Sequence, residues 1–196
     1  WQIHTHMANL TDYFAGGGGG SNVLEYIEYM ADGRTITTTK GDVTVQSVTN
    51  YTDMTTTYQD LTGSVIEYQP PDGTKYVHFQ VEFKTFYVDA NNIAHFYAYV
   101  DNASGTPTKY TESRASWYKN SNYDDWKVLK CTYTVGESTE DIPNGKIGAW
   151  TSPRTLKWMC REYSASYEFQ INRVYHIDGI GSYDYSKPIV TIIATK

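Results

Sequence analysis

Acid–base or metal chemistry in this chain would have to come from His78, His95 and His176 and from two pairs of neighbouring acids, Asp124-Asp125 and Glu140-Asp141. Their spacing assembles no known site. A zinc centre needs His or Cys partners at fixed short intervals so that several ligands converge on one ion, and none of these histidines has such a partner. His78 alternates with Gln80 and Glu82, His95 opens an apolar stretch, and His176 precedes Asp178-Gly179. His4 and His6 lie in a leading hexapeptide, residues 1–6, that matches nothing after it and reads as foreign to a chain starting at Met7-Ala8-Asn9. No GxSxG elbow, phosphate-cradling glycine loop, HExxH pair or calcium loop occurs. The paired acids sit in polar stretches, where solvated turns are their ordinary explanation; glycosidase carboxylates meet across a cleft and leave no linear spacing. The expectation is a chain that is not an enzyme and takes no metal and no cofactor.

Composition narrows the partners. Of 196 residues, 40% are hydrophobic and 15% aromatic, and the formal net charge is -6. That is enough chain for one well-cored domain with an arm. Neutralising phosphates needs a cationic chain face, so an acidic balance argues against nucleic acid. No apolar run approaches the roughly 20 residues that span a bilayer. The N-terminus lacks a charged region followed by an apolar stretch, so a standard secretory signal is not expected. For that reason the glycosylation patterns at Asn9, Asn50 and Asn102 read as chance matches.

The elements that would position any site are strands. Residues 62–84 hold the clearest one: Val77, Phe79, Val81 and Phe83 alternate with Tyr76, His78, Gln80, Glu82 and Lys84, as a strand with one buried and one wetted face requires. It follows a turn at Pro70-Pro71-Asp72-Gly73. Further strands are expected over 93–101, 110–117, 126–135, 155–162, 167–171 and 189–194. Residues 23–31 fit a strand and a helix almost equally. Asp32-Gly33 before the β-branched run 34–39 favours a hairpin there. Abundant Tyr, Thr and Val, and eight to ten strands without intervening helices, predict an all-β chain, a sandwich or jelly roll. The last strand, ending almost at the final residue, is expected to be central to its sheet. Cys131 and Cys160 sit in strand-like runs and read as free buried thiols, with a cross-strand disulfide as the alternative.

Gly16, Gly17, Gly18, Gly19 and Gly20 form a run with no side chains to pack. It predicts a flexible linker between an N-terminal peptide and a body starting at residue 23. The expected division is an arm, 1–22, and a jelly-roll domain, 23–196. Residues 102–107, 119–125 and 136–145 are the expected exposed loops. Asn102, Tyr118, Asn122, Tyr123 and Asp124 are the candidate binding residues. Tyr68, Tyr76, Tyr97, Tyr99 and Tyr118 cannot all be core on a half-exposed sheet. Exposed aromatics stack on sugars or pack against another subunit, and a contiguous apolar face favours an oligomer.

In the order of these segments the chain resembles a family of virion structural proteins of marine tailed bacteriophages and algal large DNA viruses. The likeness is carried by the glycine run before Asn22-Val23-Leu24-Glu25, by Asp32-Gly33-Arg34-Thr35 and by Gly41-Asp42-Val43-Thr44-Val45-Gln46. It continues through Gly63-Ser64, Ile66, Tyr68, Pro70-Pro71 and Gly73-Thr74, then Ala149-Trp150-Thr151-Ser152, Arg161-Glu162-Tyr163-Ser164 and Pro188-Ile189-Val190-Thr191-Ile192. His176-Ile177-Asp178-Gly179 stands where many relatives have Trp-Asp-Gly, and Cys160 differs in some of them, against a shared disulfide. The resemblance implies a jelly roll of the C1q or tumour-necrosis-factor type, a homotrimer displayed on a virus particle, with no catalytic residues.

Three roles are expected to compete. The first is a virion fibre, tail-tip or capsid-surface module that contacts other virion proteins and binds a host receptor or glycan, anchored through the glycine linker. The second is a capsid decoration or minor capsid protein that stabilises the shell. The third is a carbohydrate-binding module or carbohydrate-active enzyme.

Overall fold

The computed structural model describes residues 22–87, 92–119, 125–174 and 184–196. In chain order its strands begin with β1 (Val23–Met30), β2 (Thr35–Thr38), β3 (Gly41–Thr44), β4 (Thr52–Asp53), β5 (Gln59–Asp60) and β6 (Ile66–Tyr68). The long strands β7 (Tyr76–Tyr87) and β8 (Asn92–Asp101) follow, then β9 (Pro107–Lys109), β10 (Ala115–Lys119), β11 (Asp125–Val135) and β12 (Lys146–Ile147). The chain continues through β13 (Arg154–Glu162), β14 (Phe169–Ile171), β15 (Arg173–Val174), β16 (Asp184–Tyr185) and β17 (Ile189–Thr195). Two short 3₁₀ turns, Thr111–Ser113 and Ile142–Asn144, are the helical segments among the described residues.

Two sheets stack. The first runs β1-β17-β7-β11-β12, with β14 beside the far half of β7 and β4 beyond it. The second runs β10-β8-β13-β5, with β6 beside β13 and β9 beside β8. Counting β5 with β6 and β9 with β10 as interrupted strands leaves eight principal strands. Their order is first-eighth-third-sixth in one sheet and second-seventh-fourth-fifth in the other. That interleaving is a jelly-roll sandwich. The last strand is central, flanked by β1 and β7, as its burial pattern anticipates.

The period-2 reading of β7 holds. Val77, Phe79, Val81 and Phe83 are fully buried, each burial stabilising by roughly 1.5–3 kcal/mol. Across the sandwich they meet Ala94, Phe96, Ala98 and Val100 of β8 and Leu156, Trp158 and Cys160 of β13. Aromatic pairs tie the sheets together: Phe79 stacks on Trp158 with centroids 6.4 Å apart, and Phe83 lies 6.0 Å from Phe96. Cys131 and Cys160 are both free, and burial pushes both thiols well above their ordinary range.

Two local expectations change. Residues 23–30 form one continuous strand paired with β17, and the hairpin is β2 with β3, closing between Thr38 and Gly41. Asp32-Gly33 is therefore a bend between sheets. Its Asp32 carboxylate accepts from the Arg34 guanidinium at 2.9 Å and from the Arg34 backbone N–H at 3.1 Å, local bonds that compete with a two-residue hairpin. Residues 111–113 form a 3₁₀ turn, so the strand expected from 110 begins at Ala115. Tyr68, counted among the surplus aromatics, is fully buried and donates its hydroxyl to Glu25 Oε2 at 2.8 Å.

Candidate functional site

The alternation that buries one side of the first sheet determines what its other side presents. On β1 the outward set is Tyr26, Glu28 and Met30; on β17 it is Ile189, Thr191 and Ile193. The β7 set is Tyr76, His78, Gln80, Glu82 and Lys84, and the β11 set is Trp126, Val128, Lys130 and Thr132. Strand register lines these up in rows across four strands. One row is Met30, Ile189, Glu82 and Val128. The next is Glu28, Thr191, Gln80 and Lys130, and the third is Tyr26, Ile193, His78 and Thr132.

Eight large apolar or aromatic side chains are exposed among the described residues, and five of them, Tyr26, Met30, Tyr76, Trp126 and Val128, share this face. Half-buried Ile189 and Ile193 adjoin Met30 and Tyr26, and Glu82 stands between Ile189 and Val128. The same face holds a depression of about 380 Å³ lined by His78, Gln80, Lys130, Thr132, Thr191 and Ile193. His78 Nδ1 lies 2.9 Å from Thr132 Oγ1, which fixes the ring against β11. Tyr26 donates to Glu28 Oε2 at 2.7 Å, and this bond, followed by burial, raises the phenol above its ordinary value. The Lys84 ammonium lies 5.5 Å from the Trp126 ring centroid and shields its face. Chemically this surface is a mixed apolar and hydrogen-bonding plane.

Of the candidate binding residues, Asn102 and Tyr118 are described, and these two lie apart. Asn102 and Tyr118 lie towards opposite ends of β8, since Tyr118 pairs with Ile93 while Asn102 follows Asp101; a ten-residue strand spans roughly 30 Å. Asn102 is committed to its own turn, its Oδ1 accepting the backbone N–H groups of Ser104 and Thr106 at 2.9 Å each. Tyr118 is 61% exposed, on strand β10 and not in a loop. The loops at 102–107 and 136–145 do meet, where the Ala103 N–H donates to Glu140 Oε1. Asn122, Tyr123, Asp124, His176 and the linker Gly16 to Gly20 lie outside the described residues.

Three of the acids singled out in the sequence are described, and each has a structural partner. Glu140 pairs with Arg154, Asp125 with Lys127 at 2.7 Å, and Asp141 accepts from Asn144 at 2.8 Å. Among the described residues no group of three His, Cys, Asp or Glu side chains is placed to hold a metal, and no helix is long and apolar enough to cross a membrane.

No family model matches the sequence, and no curated protein does. Among solved structures, the C-terminal CBM6 of LamC, a marine laminarinase from Zobellia galactanivorans, is similar at a TM-score of 0.27 and 10% identity, covering 88% of this chain and 100% of that one. A chain of the infectious bursal disease virus Gx strain is similar at 0.32 and 10% identity over 81% of this chain; the match spans 39% of the viral chain. The family 11 carbohydrate-binding module from Clostridium thermocellum, in complex with a β-1,3-1,4-mixed-linked tetrasaccharide, is similar at 0.29 and 15% identity, covering 88% and 91%. These likenesses are remote, and the functional reading of this chain rests on its own residues.

Proposed function

We propose that the chain is a non-enzymatic structural module of a virus particle, assembling as a homo-oligomer through the outer face of its first sheet. The observation that carries the reading is the clustering of Tyr26, Met30, Tyr76, Trp126 and Val128 on that one face. An apolar patch of that extent on a lone subunit is an aggregation hazard, and burial against further copies removes it. Tyr, Trp and Met are enriched at subunit interfaces, and the opposite charges of Glu28, Glu82, Lys84 and Lys130 on the same face can be answered by a facing copy. The depression at its middle gives a side chain of the facing copy somewhere to sit. Display on a particle is supported by the sequence resemblance to virion structural proteins, which also implies three copies.

Light scattering on the full chain tests the assembly. The expected mass is that of a trimer at micromolar concentration. Ile193→Glu combined with Val128→Glu is expected to yield monomers with an unchanged β-sheet spectrum. A monomeric wild-type chain would overturn the assembly. Absence of the chain's peptides from purified particles would remove the virion role.

A further inference from the structure

The outer face of the second sheet has a different chemistry. Register places Ser116, His95 and Arg161 in one row across β10, β8 and β13. Tyr97 and Met159 form the next row, with Arg114 beside Tyr97 at the approach to β10. Lys109, Tyr99 and Lys157 form the third, with Lys109 contributed by β9. On a chain of net charge -6, four cations, Lys109, Arg114, Lys157 and Arg161, gather around Tyr97 and Tyr99, while the acids Glu67 and Asp101 lie further along the same face, where Thr155 donates to both. Lys157 is answered by Asp60 at 2.7 Å. Lys109, Arg114 and Arg161 pair with no acidic side chain among the described residues.

Tyrosines, not acids, hold two of these cations in place. Lys109 Nζ lies 4.8 Å from the Tyr97 ring centroid, and the Arg161 guanidinium lies 5.4 Å from that of Tyr58. Tyr58 and Tyr97 meet edge to face at 5.7 Å. Such contacts orient a cation without neutralising it; Arg161 Nη1 donates to the Glu162 carbonyl at 3.2 Å, and the charge of both cations remains available to an anion. The cationic field registers on His95, held below its ordinary value by burial first and then by Arg161 and Arg114. With strands about 4.8 Å apart, cations on either flank of β8 stand roughly 10 Å from one another.

We propose that this face is a binding site for an acidic polysaccharide, with a sugar ring over Tyr99 and anionic groups on Lys109, Arg114 and Arg161. A sugar bearing a carboxylate or sulfate needs both halves of what the face supplies: an aromatic plane for the ring's apolar side and unneutralised donors for the charge, Arg giving a planar two-pronged contact. Three open cations on an acidic chain are too few for the six to ten phosphate contacts typical of nucleic-acid binding. The site lies on the sheet opposite the proposed subunit interface and does not depend on it.

The test is titration of the full chain with alginate oligosaccharides (carboxylate), sulfated galactan oligosaccharides (sulfate), a neutral β-glucan and single-stranded DNA. One or both acidic sugars are expected to bind, more weakly as salt rises, and the neutral glucan at least tenfold more weakly. Lys109→Gln, Arg114→Gln and Arg161→Gln together are expected to weaken the acidic sugar at least tenfold. Lys146→Gln, at an exposed position on the first sheet, is expected to leave binding unchanged. No binding to either acidic sugar, equal binding of the neutral glucan, or preferential binding of the DNA would each overturn the site.

Discussion

Arg154 Nη1 lies 2.7 Å from Glu140 Oε2, and this pair joins the start of β13 to the loop after β11. The Arg154 side chain is 5% exposed and that of Glu140 25%. The same guanidinium donates to the carbonyls of Asp101 and Ala149 and lies 5.7 Å from the Trp150 ring centroid. Glu140 in turn accepts the N–H groups of Ala103 and Gly148. One buried cation and one half-buried anion thus gather three loops at one end of the sandwich.

Glu140→Gln is therefore expected to destabilise the fold by about 2 kcal/mol, the range of hydrogen bonds to charged groups, lowering Tm by roughly 4–8 °C. Partial exposure of Glu140 keeps the cost below the ~3–5 kcal/mol of a fully buried pair. Burial alone would raise the Glu140 carboxyl, but Arg154 and the two N–H donors outweigh it and lower it below its ordinary value. A lowered acid contributes stability above its unfolded-state value and loses it as pH falls through the folded one. Thermal melts against pH should show the wild-type advantage at neutral pH shrinking in acid; a gap that stays constant with pH would refute this role.

The sandwich was legible in the sequence wherever burial alternates cleanly. β7 could be read because its inward positions are Val and Phe and its outward ones polar, and β13 because Leu156, Trp158 and Cys160 alternate with Thr155, Lys157 and Met159. β1 was ambiguous because both of its faces carry apolar residues: Ile27 and Tyr29 face the core, while Tyr26 and Met30 face out. The same double apolarity is what leaves Tyr26 and Met30 exposed on the outer face of the first sheet. The basic face of the second sheet was hidden for another reason. Lys109, Arg114, Arg161 and Tyr58 come from four separate segments; the register of β8 with its neighbours gathers the cations, and Tyr58 joins them through its contacts with Tyr97 and Arg161.

Gly63 adopts φ +97°, and a Cβ there would lie 2.6 Å from Pro188 Cγ and 2.9 Å from Val48 Cγ2. Its N–H donates to Gln46 Oε1 at 2.7 Å. Backbone strain and the clash with the residue leading into β17 act together, so Gly63→Ala is expected to cost about 2–4 kcal/mol. Gly73, at φ +83° with open space around it, isolates the strain alone, and Gly73→Ala should cost only about 1 kcal/mol. Chemical denaturation of both variants checks this; equal losses would show that the Pro188 contact is without consequence.

Glu162 ends β13 nearly buried, in a polar recess of about 320 Å³ that also holds Asp53 and Glu168. Burial raises its carboxyl above the ordinary value, Asp53 and Glu168 push the same way, and the Phe169 N–H pulls against them. An acid raised in the folded state takes up protons on folding. Its contribution is full below the unfolded-state value and is lost as pH climbs through the raised one. Glu162→Gln keeps an acceptor for the Phe169 N–H and removes the charge, so it is expected to be as stable as wild type in acid and more stable at neutral pH. Melting curves of both proteins across the carboxylate range decide the matter. A variant less stable than wild type at neutral pH would mean that the Glu162 charge supports the fold, against the reading that burial opposes it.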